Sequence, residues 1–220
     1  MAAATPSRTG GAPALSDAQI ERYSRQIVLP EIGGAGQARL LATSVLILGG
    51  GPLAEMAVLY LAGAGIGRIA LFQAAGALAD AVRDLNPDVA IEHRAAVDAT
   101  YDIVVACDAE PVLVASAATG RTIIAAGLND AGGWLVVGEP GGACASCVAQ
   151  RHVEQQYAAC AELVSVVAGV LGSLIMLEVL KRRLGRGSPP AGELHFDVLQ
   201  STLSEHPIAR HADCAVCKRS

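Results

Sequence analysis

The residue types with the clearest chemical potential are Cys144-Ala-Ser-Cys147 and Cys214-Ala-Val-Cys217. Two C-x-x-C pairs offer four thiolates, the number that closes a tetrahedral zinc shell. Sixty-six residues separate the pairs, far more than in a local zinc ribbon. The fold must therefore bring them together, pinning the C-terminal stretch to the middle of the chain. A closed four-cysteine shell leaves no open position, so zinc bound there is structural. Two redox or incidental pairs are the alternative.

A second constellation is Gly49-Gly50-Gly51-Pro52-Leu53-Ala54, a G-x-G-x-x-A that follows an apolar run and opens a helical pattern. In that setting Gly49, Gly50, Gly51 and Ala54 allow close backbone approach, and the helix N-terminus can receive a phosphate. The usual companion is an acidic residue about 20 positions on, which holds ribose hydroxyls. Gln73 stands there instead, and a neutral amide does not clamp two hydroxyls. A tight turn without nucleotide stays open beside the binding reading.

Arg22 and Arg25 lie three apart on one predicted helix face, where surface ion pairing is the ordinary role. Cys160 precedes a long apolar helix, and a thiolate at a helix N-terminus is stabilised by the dipole. Cys107 ends an apolar strand and reads as a core residue.

The elements that position these residues alternate strand and helix. Ser16-Asp-Ala-Gln19 is a capping box, and Ile20, Tyr23 and Ile27 then fall on one helical face before Pro30. Gly33-Gly34 reads as a turn, with a short helix near residues 36–42. Strands are predicted over residues 44–48, 68–72, 89–93, 102–107 and 122–126, with helices over 52–63, 77–85 and 111–119. Such alternation builds a parallel sheet covered on both sides. A different region starts at Trp134 and includes a helix over 162–183 and a hairpin over 193–203. The fold class is α/β: a Rossmann-like, doubly wound, mostly parallel sheet with a C-terminal zinc-anchored strand region. Residues 1–15 read as a tail and 16–220 as one domain.

Composition narrows the function classes. Of the 220 residues 52% are hydrophobic and 17% charged, enough apolar mass for a core and too little charge for global disorder. Aromatics are only 3%, so Ala, Val, Leu and Ile must build that core. The net charge of −5 argues against nucleic-acid binding by phosphate neutralisation. The uncharged run from Leu163 ends at Glu178, after 15 residues, short of the roughly 20 that span a bilayer. A buried helix is the reading, with no membrane partner. No signal-peptide core is visible near the N-terminus, so the six cysteines point to metal or thiol chemistry in the cytoplasm.

Taken together, the motifs resemble the E1-like activating family, in its ThiF/MoeB/HesA branch. The matching pieces are Arg22-Tyr-Ser-Arg-Gln-Ile-Val-Leu-Pro30, Gly36-Gln37, Val45-Leu-Ile-Leu-Gly-Gly-Gly51 and Leu61-Ala-Gly-Ala-Gly-Ile-Gly67. Asn86-Pro87, both cysteine pairs, Gly172-Ser173 and His195-Phe-Asp197 complete the set. The resemblance implies a partner: a ubiquitin-like sulfur-carrier protein ending in Gly-Gly, whose carboxylate is adenylated by ATP with Mg²⁺, or a partner E1-like subunit. It implies a homodimer in which Arg25 reaches the other subunit's nucleotide site. It places Cys160 in the region of the sulfur-transfer cysteine and Asp108 near the metal-binding aspartate.

The sequence departs from that pattern around the nucleotide. Only thirteen residues, Gln73 to Leu85, separate the second strand from Asn86, where the family has a much longer segment. No Arg or Lys occurs between Ala74 and Val82, and Asp108 fits the metal aspartate only with a one-residue shift. The expectation is an E1-like binding module with a weak or lost ATP site; an active adenylyltransferase is the alternative.

Overall fold

The computed structural model describes residues 14–72, 77–97, 101–110, 113–114, 122–129, 132–138, 147 and 163–208. Gln73, Cys144, Cys160, Cys214, Cys217 and most of the helix expected over 111–119 lie outside the described residues.

Eight strands form one sheet in the order β3-β2-β1-β4-β5-β6-β7-β8. They are β1 (Ser44–Gly49), β2 (Arg68–Phe72), β3 (Ala90–His93), β4 (Ile103–Cys107), β5 (Thr122–Asn129), β6 (Gly132–Gly138), β7 (Glu193–Asp197) and β8 (Thr202–His206). The first five are parallel, as the strand–helix alternation requires, and β6 to β8 add antiparallel neighbours. This is the expected Rossmann-like, mostly parallel α/β sheet.

The helices are α1 (Asp17–Arg22), α2 (Ser24–Ile27), α3 (Gly33–Leu41), α4 (Gly51–Ala64), α5 (Ala77–Leu85) and α6 (Val164–Leu184). Ser16 caps α1 through the expected reciprocal box with Gln19. The single helix expected through Ile27 is instead broken at Tyr23, which ends α1 and opens α2. The turn expected at Gly33-Gly34 is the first turn of α3, entered with a left-handed Gly33. β5 continues to Asn129, three residues past its expected end, because β6 pairs along its full length.

Strand residues alternate between two apolar layers, the period-2 rule of a pleated sheet. Val45, Ile47, Ile69, Leu71, Ile103 and Val105 face the layer that contains α4 and α6. Leu46, Leu48, Val104, Ala106, Ile123 and Trp134 face the other. α4 and α6 pack closely: a Cβ on Gly172 would stand 3.1 Å from the Met56 backbone carbon. α6 is long and apolar enough to cross a membrane by length and composition. Its Val167, Ala168, Leu171, Ile175 and Val179 are buried in the core, as the sequence predicts. Glu178 on the same helix is buried too, and pairs locally with Lys181 and Arg182.

Candidate functional site

The strand order reverses at β1, which has β2 on one side and β4 on the other. In open α/β sheets the carboxyl ends of strands at such a reversal frame the ligand crevice. Here those ends are Gly49 and Cys107, which pair directly. Gly50 is the N-cap of α4 and offers no side-chain cap, so the first-turn amides of a 14-residue helix open toward the crevice.

Gly49 has φ +94, and a Cβ there would sit 2.0 Å from the Cys107 carbonyl oxygen. The first glycine of the motif is thus demanded by the sheet itself, whether or not a phosphate approaches. Ala54 is buried in the core.

Asp108 follows β4 in a left-handed conformation, φ 48. Its backbone N–H donates to Ala126, and its carboxylate accepts from the Leu128 N–H at 2.8 Å. Both contacts draw it toward β5. Although the side chain reaches the surface, the surrounding strand ends desolvate the carboxylate and raise its pKa, with the Leu128 amide opposing. The side chain that approaches Gly49 is that of the next residue: the Ala109 Cβ is 3.6 Å from a Cβ built there. A methyl group cannot ligate a metal. The spacing along the chain does not reveal this, because one residue of shift at a strand end swaps the face a side chain takes.

Cys107 is fully buried, as expected for a core cysteine, and burial pushes its thiol far above the ordinary range. Arg83 lies in the last turn of α5 and pairs with Asp80, at the end of that helix remote from the crevice. Arg22 pairs with Asp88 at 3.0 Å. Arg25 is exposed on α2 and makes no hydrogen bond or ion pair with a described residue. Cys147, the one cysteine of the two C-x-x-C pairs among the described residues, is buried. Among the described residues no group of three or more His, Cys, Asp or Glu could hold a metal ion.

Sequence reading missed the buried polar cluster around Tyr23. Asn86 Nδ2 donates to the Tyr23 hydroxyl at 2.9 Å and to the Ala62 carbonyl at 2.7 Å. Gln37 Nε2 donates to the Ala64 carbonyl at 3.1 Å. Burial raises the Tyr23 pKa to about 12, so the phenol keeps its proton. The signal available was Tyr23 on the predicted apolar face shared with Ile20 and Ile27, and the Asn before Pro87.

Comparison with known proteins follows the same outline. The ThiF family model matches residues 23–74 and 73–216, two stretches that meet just after β2. The bovine adenylyltransferase and sulfurtransferase MOCS3 is 36% identical over 251 residues, covering 93% of this chain and 54% of that protein. The chain thus spans about half the length of this relative. The sulfur carrier protein ThiS adenylyltransferase of Escherichia coli K12 is 32% identical over 244 residues, covering 92% of this chain and 97% of that one. An alignment of 244 positions that uses 92% of a 220-residue chain leaves about 40 positions with no counterpart here. Escherichia coli MccB, solved with AMPCPP and MccA, shares the fold with a TM-score of 0.71 at 17% identity, over 89% of this chain and 74% of that one. By sequence and by fold, this chain belongs to the ThiF family.

Proposed function

We propose that this chain is an E1-like module that binds a ubiquitin-like sulfur-carrier protein, or a partner E1-like subunit, in cytoplasmic sulfur transfer, and that its ATP site is weak or lost. The observation that carries this reading is at the crevice: Ala109 approaches Gly49, while the Asp108 carboxylate is turned onto the Leu128 amide. Adenylation places an acyl carboxylate against a triphosphate and needs a metal carboxylate and cations to offset the charge. The meeting of the two family-matched stretches just after β2 supports a shortened nucleotide segment there. Arg83, the first cation after that segment, lies in the last turn of α5 and pairs with Asp80. The names of the relatives support the sulfur-carrier side of the reading.

Two further parts belong to this proposal. Cys144, Cys147, Cys214 and Cys217 hold one structural zinc, and Cys160 is the candidate sulfur-relay thiol. The chain forms a homodimer in which Arg25 reaches the crevice of the second copy. ATP–pyrophosphate exchange with Gly-Gly carriers tests the main claim. Exchange at background, together with carrier capture by the wild-type chain, is expected. Robust exchange would establish the active adenylyltransferase instead.

A further inference from the structure

Arg25 sits on a helix of only four residues, Ser24–Ile27, which has no stability of its own. Something else must hold it. The residue before that helix, Tyr23, is 1% exposed and is the most buried side chain of the N-terminal segment. Its hydroxyl meets Asn86, and Asn86 in turn reaches the Ala62 carbonyl at the end of α4. Asn86 Oδ1 also accepts the Asp88 N–H at 3.1 Å, and Asp88 pairs with Arg22 on the other side of Tyr23. The tyrosine ring lies against Gly65, where a Cβ would come within 2.7 Å of it. The α1–α2 join is therefore clamped to the body of the domain from both sides.

What the clamp holds out is unsatisfied. Arg25 has no partner among the described residues, and Val28 and Leu29 are 74% and 47% exposed. The counter-charge is present elsewhere on the same chain. Asp108, at the end of β4, is exposed and accepts only the Leu128 N–H, with no cation paired to it among the described residues.

We infer that Tyr23 and Asn86 are positioning residues that fix α2 so that Arg25 enters the crevice of a second copy and meets Asp108 there. This rests on the reading above that the chain pairs with itself through Arg25. The clamp spends a buried hydroxyl and a buried amide on geometry, since a Phe would fill the same space. It also pays in advance the ordering entropy that a loose arginine would lose on binding.

The test is the dimer dissociation constant from sedimentation over a concentration series. The chains compared are wild type, Tyr23→Phe, Arg25→Ala and the double variant. Thr43→Val serves as control, because it removes a comparably buried hydroxyl that bonds Arg39 and Arg183 on another part of the fold. Tyr23→Phe and Arg25→Ala are each expected to weaken the dimer by about tenfold, and the double variant no more than either alone. Thr43→Val should lower the melting temperature without moving the dimer constant. Trypsin should cleave Tyr23→Phe after Arg25 faster than wild type, with cleavage elsewhere unchanged. Asn86→Ser, which keeps the tyrosine, should reproduce both effects if Tyr23→Phe folds poorly.

An unchanged dimer in Tyr23→Phe, beside a weakened one in Arg25→Ala, would overturn the inference and leave the pairing intact. Multiplying losses in the double variant would do the same. An Arg25→Ala dimer as tight as wild type would remove the pairing itself.

Discussion

The Asp108 carboxylate accepts a hydrogen bond from the Leu128 backbone N–H, 2.8 Å across the gap between β4 and β5. This bond turns the carboxylate that directly follows β4 away from the glycine turn and leaves Ala109 beside Gly49. It is local, formed within the sheet, and requires no ligand to be in place.

Replacing Asp108 with Asn tests its cost. Burial raises the carboxyl pKa of the folded chain. The unfolded chain therefore gives up this proton more readily, and ionisation lowers stability as pH rises through about 4. Asn keeps the acceptor for Leu128, carries no charge and tolerates the left-handed φ of 48. In an Arg25→Ala background, where pairing does not enter, Asp108→Asn should raise Tm at pH 7. Solvent contact limits the gain to about 1–2 °C. The gain should vanish below about pH 3.5, where both states hold the proton. A lower Tm at pH 7 would show that the ionised carboxylate is doing something the neutral amide cannot.

Two glycines on α6 should respond oppositely to added bulk. A Cβ at Gly172 would stand 3.1 Å from the Met56 backbone carbon, and the Ala57 nitrogen is as near. Backbone cannot move aside, so Gly172→Val should cost about 2–4 kcal/mol and several degrees of Tm. A Cβ at Gly169 would meet only the Met56 Cε, at 4.0 Å. Gly169→Ala should therefore stabilise by about 0.5–1 kcal/mol through helix propensity. Thermal melts of the two variants check both signs.

Zinc should be present at about one ion per chain by elemental analysis. Removing one ligand of a closed shell leaves thiolates uncompensated and frees the C-terminal tether. Cys214→Ser should therefore release the metal and lower Tm by several degrees. A metal-free wild-type protein with the same melting behaviour would remove the zinc site from the account.

The strands were legible because parallel strands buried on both faces leave continuous apolar runs, as from Val45 to Leu48. β2 and α5 fall where the sequence places them, bounded by Gly67 and by Asn86-Pro87. The break at Tyr23 was not legible. Helical periodicity runs straight through it, and only the distant Asn86 explains why the chain turns there. The glycine motif was legible as a motif, but its first residue answers to the Cys107 carbonyl. The direction of Asp108 depends on the register of β4 against β5, which no local pattern contains.

Nucleotide affinity decides between the two classes of function. A ribose carboxylate replaced by Gln73 loses a charge-assisted hydrogen bond, about 1.5–3 kcal/mol. No cation follows between Ala74 and Val82, which removes at least two more charged contacts to a polyanion. Ala109 beside Gly49 withholds the metal carboxylate as well. On the proposed reading the combined loss would exceed about 4 kcal/mol, roughly a thousandfold in affinity, before any effect on the transition state. ATP should therefore bind with a dissociation constant well above the micromolar range in calorimetry. The amides at the start of α4 remain, so a single phosphate group keeps a weak foothold. Gln73→Asp alone should not restore pyrophosphate exchange, because it adds negative charge where the cations are missing. Ala109→Asp alone should fail for the same reason. Exchange recovered by either single change would mean that the phosphate cations are supplied from elsewhere, with Arg25 of a second copy the first residue to remove.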